Sequence, residues 1–256
     1  MKPILAPANR NLLRQYAWSN VLLAFDFDGT LAPIVADRDE ARMRESTRGL
    51  LKLVAGLYPS IVVSGRARAD VMRRLDGIRL RQVIGNHGLE PMKASGDFAR
   101  TVRRWLTMLS ARLRGHAGIE LEDKRLSLAI HYRRSRRKKQ ALAAIREVSA
   151  ELAGARAIEG KLVVNLLPPN APHKGLAVQR ARDSLGCDTA IYVGDDDTDE
   201  DVFSLKEPGQ LLGIRVGTSS ASSAPYFIRG QAQIDTLLLE LTRLRAQSGC
   251  VEGAAP

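Results

Sequence analysis

Val21-Leu22-Leu23-Ala24-Phe25-Asp26-Phe27-Asp28-Gly29-Thr30-Leu31 decides the fold of this chain. Val21 to Phe25 is an unbroken apolar run, the pattern of a strand buried on both faces of a parallel sheet. It ends in two carboxylates, Asp26 and Asp28, followed by Gly29 and Thr30. Burial strips water from a charge, so paired acids at the end of a buried strand work against stability and point to chemistry. Ligands of open α/β sheets bind just beyond the carboxyl ends of the strands. Two acids there can hold a divalent cation, and one can attack a phosphorus while the other moves a proton. A strand followed by an Asp-Gly turn is the plainer alternative.

Working outward, Leu50, Leu51, Val54 and Leu57 recur at helical spacing, with Ser46 in position to cap the helix and Pro59 to stop it. Ile61-Val62-Val63 reads as a second buried strand ending in Ser64-Gly65-Arg66. A hydroxyl, a flexible glycine and a cation at a strand end suit a phosphate, with loop amides sharing the load. A helix over 69–75 and a strand over 82–84 complete the repeated strand–helix order of a doubly wound parallel sheet.

The pattern then changes. Phe98, Val102, Trp105, Leu106, Leu109 and Leu113 mark a long amphipathic helix. Strands over 119–122 and 126–132 join through Asp123-Lys124-Arg125 as a hairpin. Leu126, Leu128 and Ile130 alternate with Ser127, Ala129 and His131, which predicts one buried and one open face. A further helix carries Ala141 to Leu152, and Leu162 to Leu166 gives another strand. Pro168-Pro169-Asn170-Ala171-Pro172 is the clearest linker. Past it, α/β alternation resumes with a helix opening at His173-Lys174-Gly175 and a buried strand, Ala190 to Val193. A strand over 211–216 and a helix over 234–244 follow, and the tail 247–256 reads as frayed. The domain reading is therefore a discontinuous core, 1–90 with 171–246, and an inserted α+β domain, 91–170.

The chain of 256 residues carries a formal net charge of +11, and residues 91–170 hold 17 of its 39 Lys and Arg against 7 of its 28 Asp and Glu. The basic excess belongs to the insert, which suggests a module facing something anionic. Trp105 and Tyr132 are few aromatics for base stacking, so a nucleic-acid binder is the weaker reading. Two cysteines, Cys187 and Cys250, are too far apart in sequence for a metal knuckle or redox pair, and no apolar run approaches ~18 residues. These features lead us to expect a soluble, cytoplasmic protein, and we further expect a monomer that binds neither nucleic acid nor membrane.

The run Asp195-Asp196-Asp197-Thr198-Asp199-Glu200-Asp201 puts six carboxylates in seven residues just after a buried strand. They repel one another, and a strand end would not collect them without a compensating cation. An oxygen-rich site built from two strand ends suits Mg²⁺, and Lys174 can add a cation for phosphate. The spacing lacks the alternate-residue ligands and central glycine of an EF-hand loop.

Asp26-Phe27-Asp28-Gly29-Thr30, Ser64-Gly65-Arg66, Lys174 and Gly194-Asp195-Asp196 together resemble the four motifs of the haloacid dehalogenase (HAD) superfamily. Gly194-Asp195-Asp196-x-Thr198-Asp199-Glu200 is similar to the trehalose-6-phosphate phosphatase form of the fourth motif. Gly85-x-His87-Gly88-x-Glu90, Glu120-Leu121-Glu122-x-Lys124, His131-Tyr132-Arg133 and Gly160-Lys161 also resemble segments of that family. The resemblance implies a Rossmann-like doubly wound HAD core with an inserted α+β cap of the C2 type, and Mg²⁺ as cofactor.

It further implies Asp26 as nucleophile, Asp28 as general acid and base, and Ser64 and Lys174 on the transferred phosphoryl group. Asp26, the backbone carbonyl of Asp28 and Asp195 would hold the metal, with Asp196 and Asp199 orienting them. Gly65 and Arg66 would contact the phosphate. Glu122, Lys124, His131, Arg133 and Asn165, in a mobile cap, would contact the sugar. The chain departs from the family where Asn165 and Leu167 stand in place of Glu and a basic residue. Asn can donate and accept, without charge. Another sugar phosphate (sucrose phosphate, a hexose phosphate or a glycosylglycerol phosphate) is therefore the nearest alternative substrate. Phosphomutase-like transfer, or polyanion binding on an inactive core, is more remote.

Overall fold

The structure, a computed structural model, describes residues 1–35, 37–91, 96–160 and 162–251. The backbone divides into two compact units, Met1–His87 with His173–Pro256, and Gly88–Pro172. The first unit opens with β1 (Lys2–Pro3), α1 (Arg10–Trp18), β2 (Val21–Phe25), α2 (Glu45–Leu57), β3 (Ser60–Val63), α3 (Arg68–Arg74) and β4 (Gln82–Ile84). The second unit holds α4 (Gly96–Arg112), β5 (Glu120–Asp123), β6 (Leu128–His131), α5 (Lys138–Ala150), β7 (Arg156–Gly160) and β8 (Val163–Leu167). The chain then returns to the first unit for α6 (Lys174–Ser184), β9 (Thr189–Gly194), α7 (Glu200–Phe203), β10 (Leu211–Val216), β11 (Tyr226–Ile228) and α8 (Ile234–Val251). Among the described residues, no helix is long and apolar enough to cross a membrane.

The seven strands of the first unit form one parallel sheet in the order β1-β11-β10-β9-β2-β3-β4. From β2 the chain winds toward β3 and β4 on one side, and later toward β9, β10 and β11 on the other. The order reverses between β2 and β9, the switch point at which open α/β sheets bind their ligands beyond the carboxyl ends of the strands. All five residues of β2 are buried because both faces are covered. Val21, Leu23 and Phe25 pack with Leu13, Leu51, Val54, Leu237 and Leu241 from α1, α2 and α8. Leu22 and Ala24 pack with Ala177, Val178 and Val202 from α6 and α7. Truncating such a side chain to Ala costs about 2–5 kcal/mol, so the strand that carries the first two acids is also a main structural support.

The sequence reading and the structure differ in three local places. Ser46 does not cap α2; it lies in the first turn and donates to Asp235 Oδ2 on α8 at 2.7 Å, while Arg44 holds the cap position. Asp235 also accepts from Arg44 and Thr47, so tying two helices together outweighs a single cap bond. The hairpin face expected to be open is buried at Ser127 and Ala129, and only His131 on it stays half-buried. Strand β6 is the inner strand between β5 and β8, with Ala129 paired to Glu122 on one side and Asn165 on the other. Helix α8 runs to Val251, past the Gln247 where the tail was expected to fray, and residues 252–256 lie outside the described residues.

The second unit is a four-stranded antiparallel sheet, β5-β6-β8-β7, with two helices. Leu128, Ile130, Val164 and Leu166 form its apolar face and pack with Val102, Trp105 and Leu109 of α4 and Ala141, Ile145 and Val148 of α5. The register Glu122↔Ala129↔Asn165 puts Glu122 and Asn165 on the opposite face, joined two residues along by Lys124 and His131.

Candidate active site

Adjacent parallel strands β2 and β9 end side by side, which brings Asp26 and the acids of 195–199 into one place. Asp26 is 4% exposed, and its backbone N–H donates to Val193 O. Lys174, 1% exposed, is the first residue of α6; the His173 imidazole accepts from the Leu176 N–H and closes that helix end. Lys174 Nζ donates to Asp26 Oδ1 at 2.8 Å and to Asp199 Oδ1 at 2.7 Å, with Asp196 Oδ1 at 3.8 Å. Asp196 caps a 3-10 turn, Asp197–Asp199, by accepting from the N–H groups of Thr198 and Asp199, and Asp199 Oδ2 accepts from the Asp196 N–H in return. Tyr192, fully buried, donates to Asp199 Oδ1 at 2.6 Å. Thr30 donates to Asp195 Oδ1 at 3.3 Å. Gly29 has a φ of +86°, and a Cβ there would sit 2.1 Å from Asp195 Oδ2, so no side chain fits between the two strand ends.

The charges respond as this crowding requires. Burial pushes Asp26 well above the usual carboxylate range; Lys174 pulls the other way, and Asp199, Asp196 and Asp195 add repulsion. Burial, then repulsion from Asp199 and Asp196, lifts Asp195 to about 7. Asp196 moves down to about 2, because Lys174, the Thr198 hydrogen bond and nearby His87 outweigh its burial. Burial alone would lower Lys174, but Asp199 and Asp26 hold it charged well above the ordinary lysine range.

Asp28 stands apart from this cluster. Arg66 Nε donates to Asp28 Oδ2 at 2.6 Å and a terminal nitrogen donates to Oδ1 at 2.7 Å, a two-pronged clamp. Ser64, 1% exposed at the end of β3, accepts from the Arg66 N–H through Oγ. A Cβ on Gly65 would meet the His87 ring at 2.5 Å, so this turn packs directly on an imidazole.

In the second unit, Glu122, Lys124, His131 and Asn165 lie on one face as two linked pairs. His131 Nε2 and Glu122 Oε2 are 2.9 Å apart, and Lys124 Nζ donates to Asn165 Oδ1 at 3.1 Å. Lys124 is 8% exposed, whereas His131 and Glu122 keep 22% and 26% of their side chains exposed. Arg133 follows β6 by two residues and is half-buried. Lys161 of the Gly160-Lys161 pair lies outside the described residues.

A family profile described as trehalose-phosphatase matches residues 24–232. The chain belongs to the trehalose-phosphatase family. It is 30% identical over 248 residues to a probable trehalose-phosphate phosphatase 4 of Oryza sativa subsp. japonica, covering 89% of this chain and 67% of that one. A trehalose-phosphate phosphatase of Mycolicibacterium paratuberculosis is 34% identical over 208 residues, 75% of this chain and 53% of that one. The fold is similar to the C-terminal domain of the C. albicans trehalose-6-phosphate phosphatase, with a TM-score of 0.78 at 23% identity over 96% of this chain and 98% of that one. A structure described as a trehalose-6-phosphate phosphatase related protein gives 0.71 at 22% identity, over 88% and 99%. This is the HAD arrangement, a Rossmann-like doubly wound core with an inserted α+β segment.

The residues present fit a hard cation such as the Mg²⁺ that the motif resemblance implies. Ligand atoms of Asp26, Asp195 and Asp199 lie within 4.8 Å of one another, an all-oxygen set carrying more negative charge than Lys174 neutralises. Asp199 already accepts from Lys174, Tyr192 and the Asp196 N–H. Asp26 and Asp195 accept one donor each among the described residues, which leaves them the freer pair. The Asp28 carboxylate is not part of the triplet; its backbone carbonyl is the group that the family resemblance brings to the metal. Sequence reasoning did not single out Tyr192 or Thr30. Tyr192 was hidden as one more apolar strand residue, and only its hydrogen bond to Asp199 gives the hydroxyl a purpose.

Proposed function

We propose that this chain hydrolyses trehalose 6-phosphate to trehalose and phosphate. An Asp26 oxygen attacks the phosphorus, the bond from phosphorus to the sugar oxygen breaks, and the leaving oxygen takes a proton from Asp28. Water then attacks the Asp26-bound phosphoryl group, gives its proton to Asp28, and phosphate leaves from Asp26. Two steps replace one difficult displacement. Lys174 and the Ser64-Gly65 turn hold the transferred phosphoryl oxygens, where charge spreads in a loose transition state. Asp26, Asp195 and the Asp28 carbonyl would hold Mg²⁺, with Asp196 and Asp199 orienting Asp195 and Lys174. A cation held there would supply positive charge against the repulsion between an anionic nucleophile and a dianionic substrate.

The sugar is read by Glu122, Lys124, His131, Arg133 and Asn165. Their linked pairs offer donors and acceptors already oriented by one another, as hydroxyl recognition demands.

One observation carries the reading: a buried carboxylate at the end of β2 bonded to a buried lysine, in a chain of the trehalose-phosphatase family. Its test is phosphate release from a panel of sugar phosphates, with and without Mg²⁺, by the native chain and by Asp26→Asn. The native chain should prefer trehalose 6-phosphate and need the metal; turnover retained by Asp26→Asn removes the nucleophile assignment. Asn165 favours a second reading, another disaccharide or hexose phosphate, because a neutral amide stands beside Lys124. The same panel decides between them.

A further inference from the structure

We propose that Arg66 and Asp70 are positioning residues for the Asp28 carboxylate, and that Arg66 is not a phosphate ligand. This rests on the reading of Asp28 as the proton-transfer group. Four of the five N–H donors of Arg66 are engaged: two on Asp28, one on Asp70 Oδ2 at 2.9 Å, and one on Arg38 O at 2.7 Å. Its side chain is 12% exposed, and its guanidinium carbon lies 5.9 Å from the centre of the Phe27 ring. A guanidinium so committed cannot turn toward a phosphoryl oxygen without leaving a carboxylate and a carbonyl unpaired. It can do something else with its rigid fork: fix the plane of the Asp28 carboxylate, leaving the remaining lone pairs to take and give the proton.

The fork is itself anchored. Asp70 Oδ2 accepts from Arg66 and from Arg74 Nε at 3.1 Å, and Arg74 donates onward to Asp39 O and Ala41 O. Asp70 and Arg74 line a separate cleft of about 660 Å³ with Asp39, Arg42, Arg48 and Arg73, and neither belongs to the acid cluster around Asp26. Asp70 thus acts on Asp28 only through Arg66. A proton-transfer group misplaced by a fraction of an ångström loses most of its advantage, so the anchor should be visible in the rate.

The test uses leaving groups. A sugar alkoxide must be protonated as it departs, whereas p-nitrophenolate leaves as a stable anion. Arg66→Lys keeps the charge and loses the fork. It should lower kcat on trehalose 6-phosphate by ~10²-fold with KM little changed, while the p-nitrophenolate burst from p-nitrophenyl phosphate falls by less than ~3-fold. Asp70→Asn, which preserves shape, should show the same selectivity at ~10-fold. Equal losses on both substrates, or a rise in KM for both with kcat kept, would overturn the proposal. Asp28→Asn separates the two levels. If it treats both substrates alike, the role given to Asp28 fails and this proposal with it; if it is selective while Arg66→Lys is not, only this proposal fails.

Discussion

The acid cluster of the first unit and the polar sheet face of the second both gather charged side chains, yet they are held in opposite ways. Asp26, Lys174 and Asp199 are almost wholly buried, and the two contacts tie helix α6 to the end of β2 and to the turn after β9. Glu122 and His131 pair within one hairpin and keep about a quarter of their surface in solvent. A buried charge must be paired, so the first cluster is both chemistry and scaffold. The half-exposed Glu122–His131 pair is worth little to stability, whereas Lys124 and Asn165 on the same face are buried and bonded to one another.

The largest break comes from Lys174→Met. It leaves Asp26 and Asp199 without their shared cation, and should abolish turnover and cost about 3–5 kcal/mol in a chemical-denaturation curve. Removing Mg²⁺ with a chelator should stop phosphate release almost as fully, with recovery on adding Mg²⁺ back. Asp195→Asn should raise the Mg²⁺ concentration needed, since the cation loses one of its two freer carboxylates.

The second cluster should respond differently. Lys124→Met and His131→Asn should each lower kcat/KM on trehalose 6-phosphate by ~10-fold or more, the cost of leaving a polar partner unmatched. Their p-nitrophenyl phosphate activity should hold, and for the half-exposed His131 the unfolding midpoint should barely move. Equal loss on both substrates would erase the contrast.

The smallest effect concerns acid stability. Asp70 is held at about 2: burial opposes this, but its hydrogen bonds and ion pairs with Arg74 and Arg66 outweigh burial. A carboxylate depressed in the folded state contributes stability that is complete above its unfolded value of ~4 and lost as pH falls through about 2. Asp70→Asn should therefore lower the unfolding midpoint at neutral pH and narrow its gap from the native chain between pH ~4 and ~2. The partly solvated network keeps this modest.

The core elements were legible because their patterns are strong. The apolar run of β2 can only be a strand covered on both faces, and acids at its end have few structural uses. The helix start at Lys174 was equally readable. What escaped was short, exposed or dependent on a partner. The three residues of β11 and the two of β1 carry too little pattern to be seen, and β7 turns the mismatched pair Ala157 and Glu159 outward. Ser46 looked like a cap because sequence shows the capping residue and not Asp235, which lies 189 positions away. The engagement of Arg66 by Asp28 and Asp70 stayed hidden for the same reason: a cation at a strand end is visible in the sequence, and its partner 38 positions away is not.

By itself the sequence determined which groups are reactive and that they end buried strands, since hydrophobic runs and the cost of burying charge are local properties. It determined the family on the same motifs. Only the tertiary structure decided which of those groups touch. Adjacent pairing of β2 and β9 brings Asp26 to Lys174 and the acids of 195–199, although 148 positions separate the first two. The clamp of Arg66 on Asp28 likewise exists only once β3 lies beside β2. Hydrogen bonds act over about 3 Å, and strand order, not spacing along the chain, sets which side chains come that close.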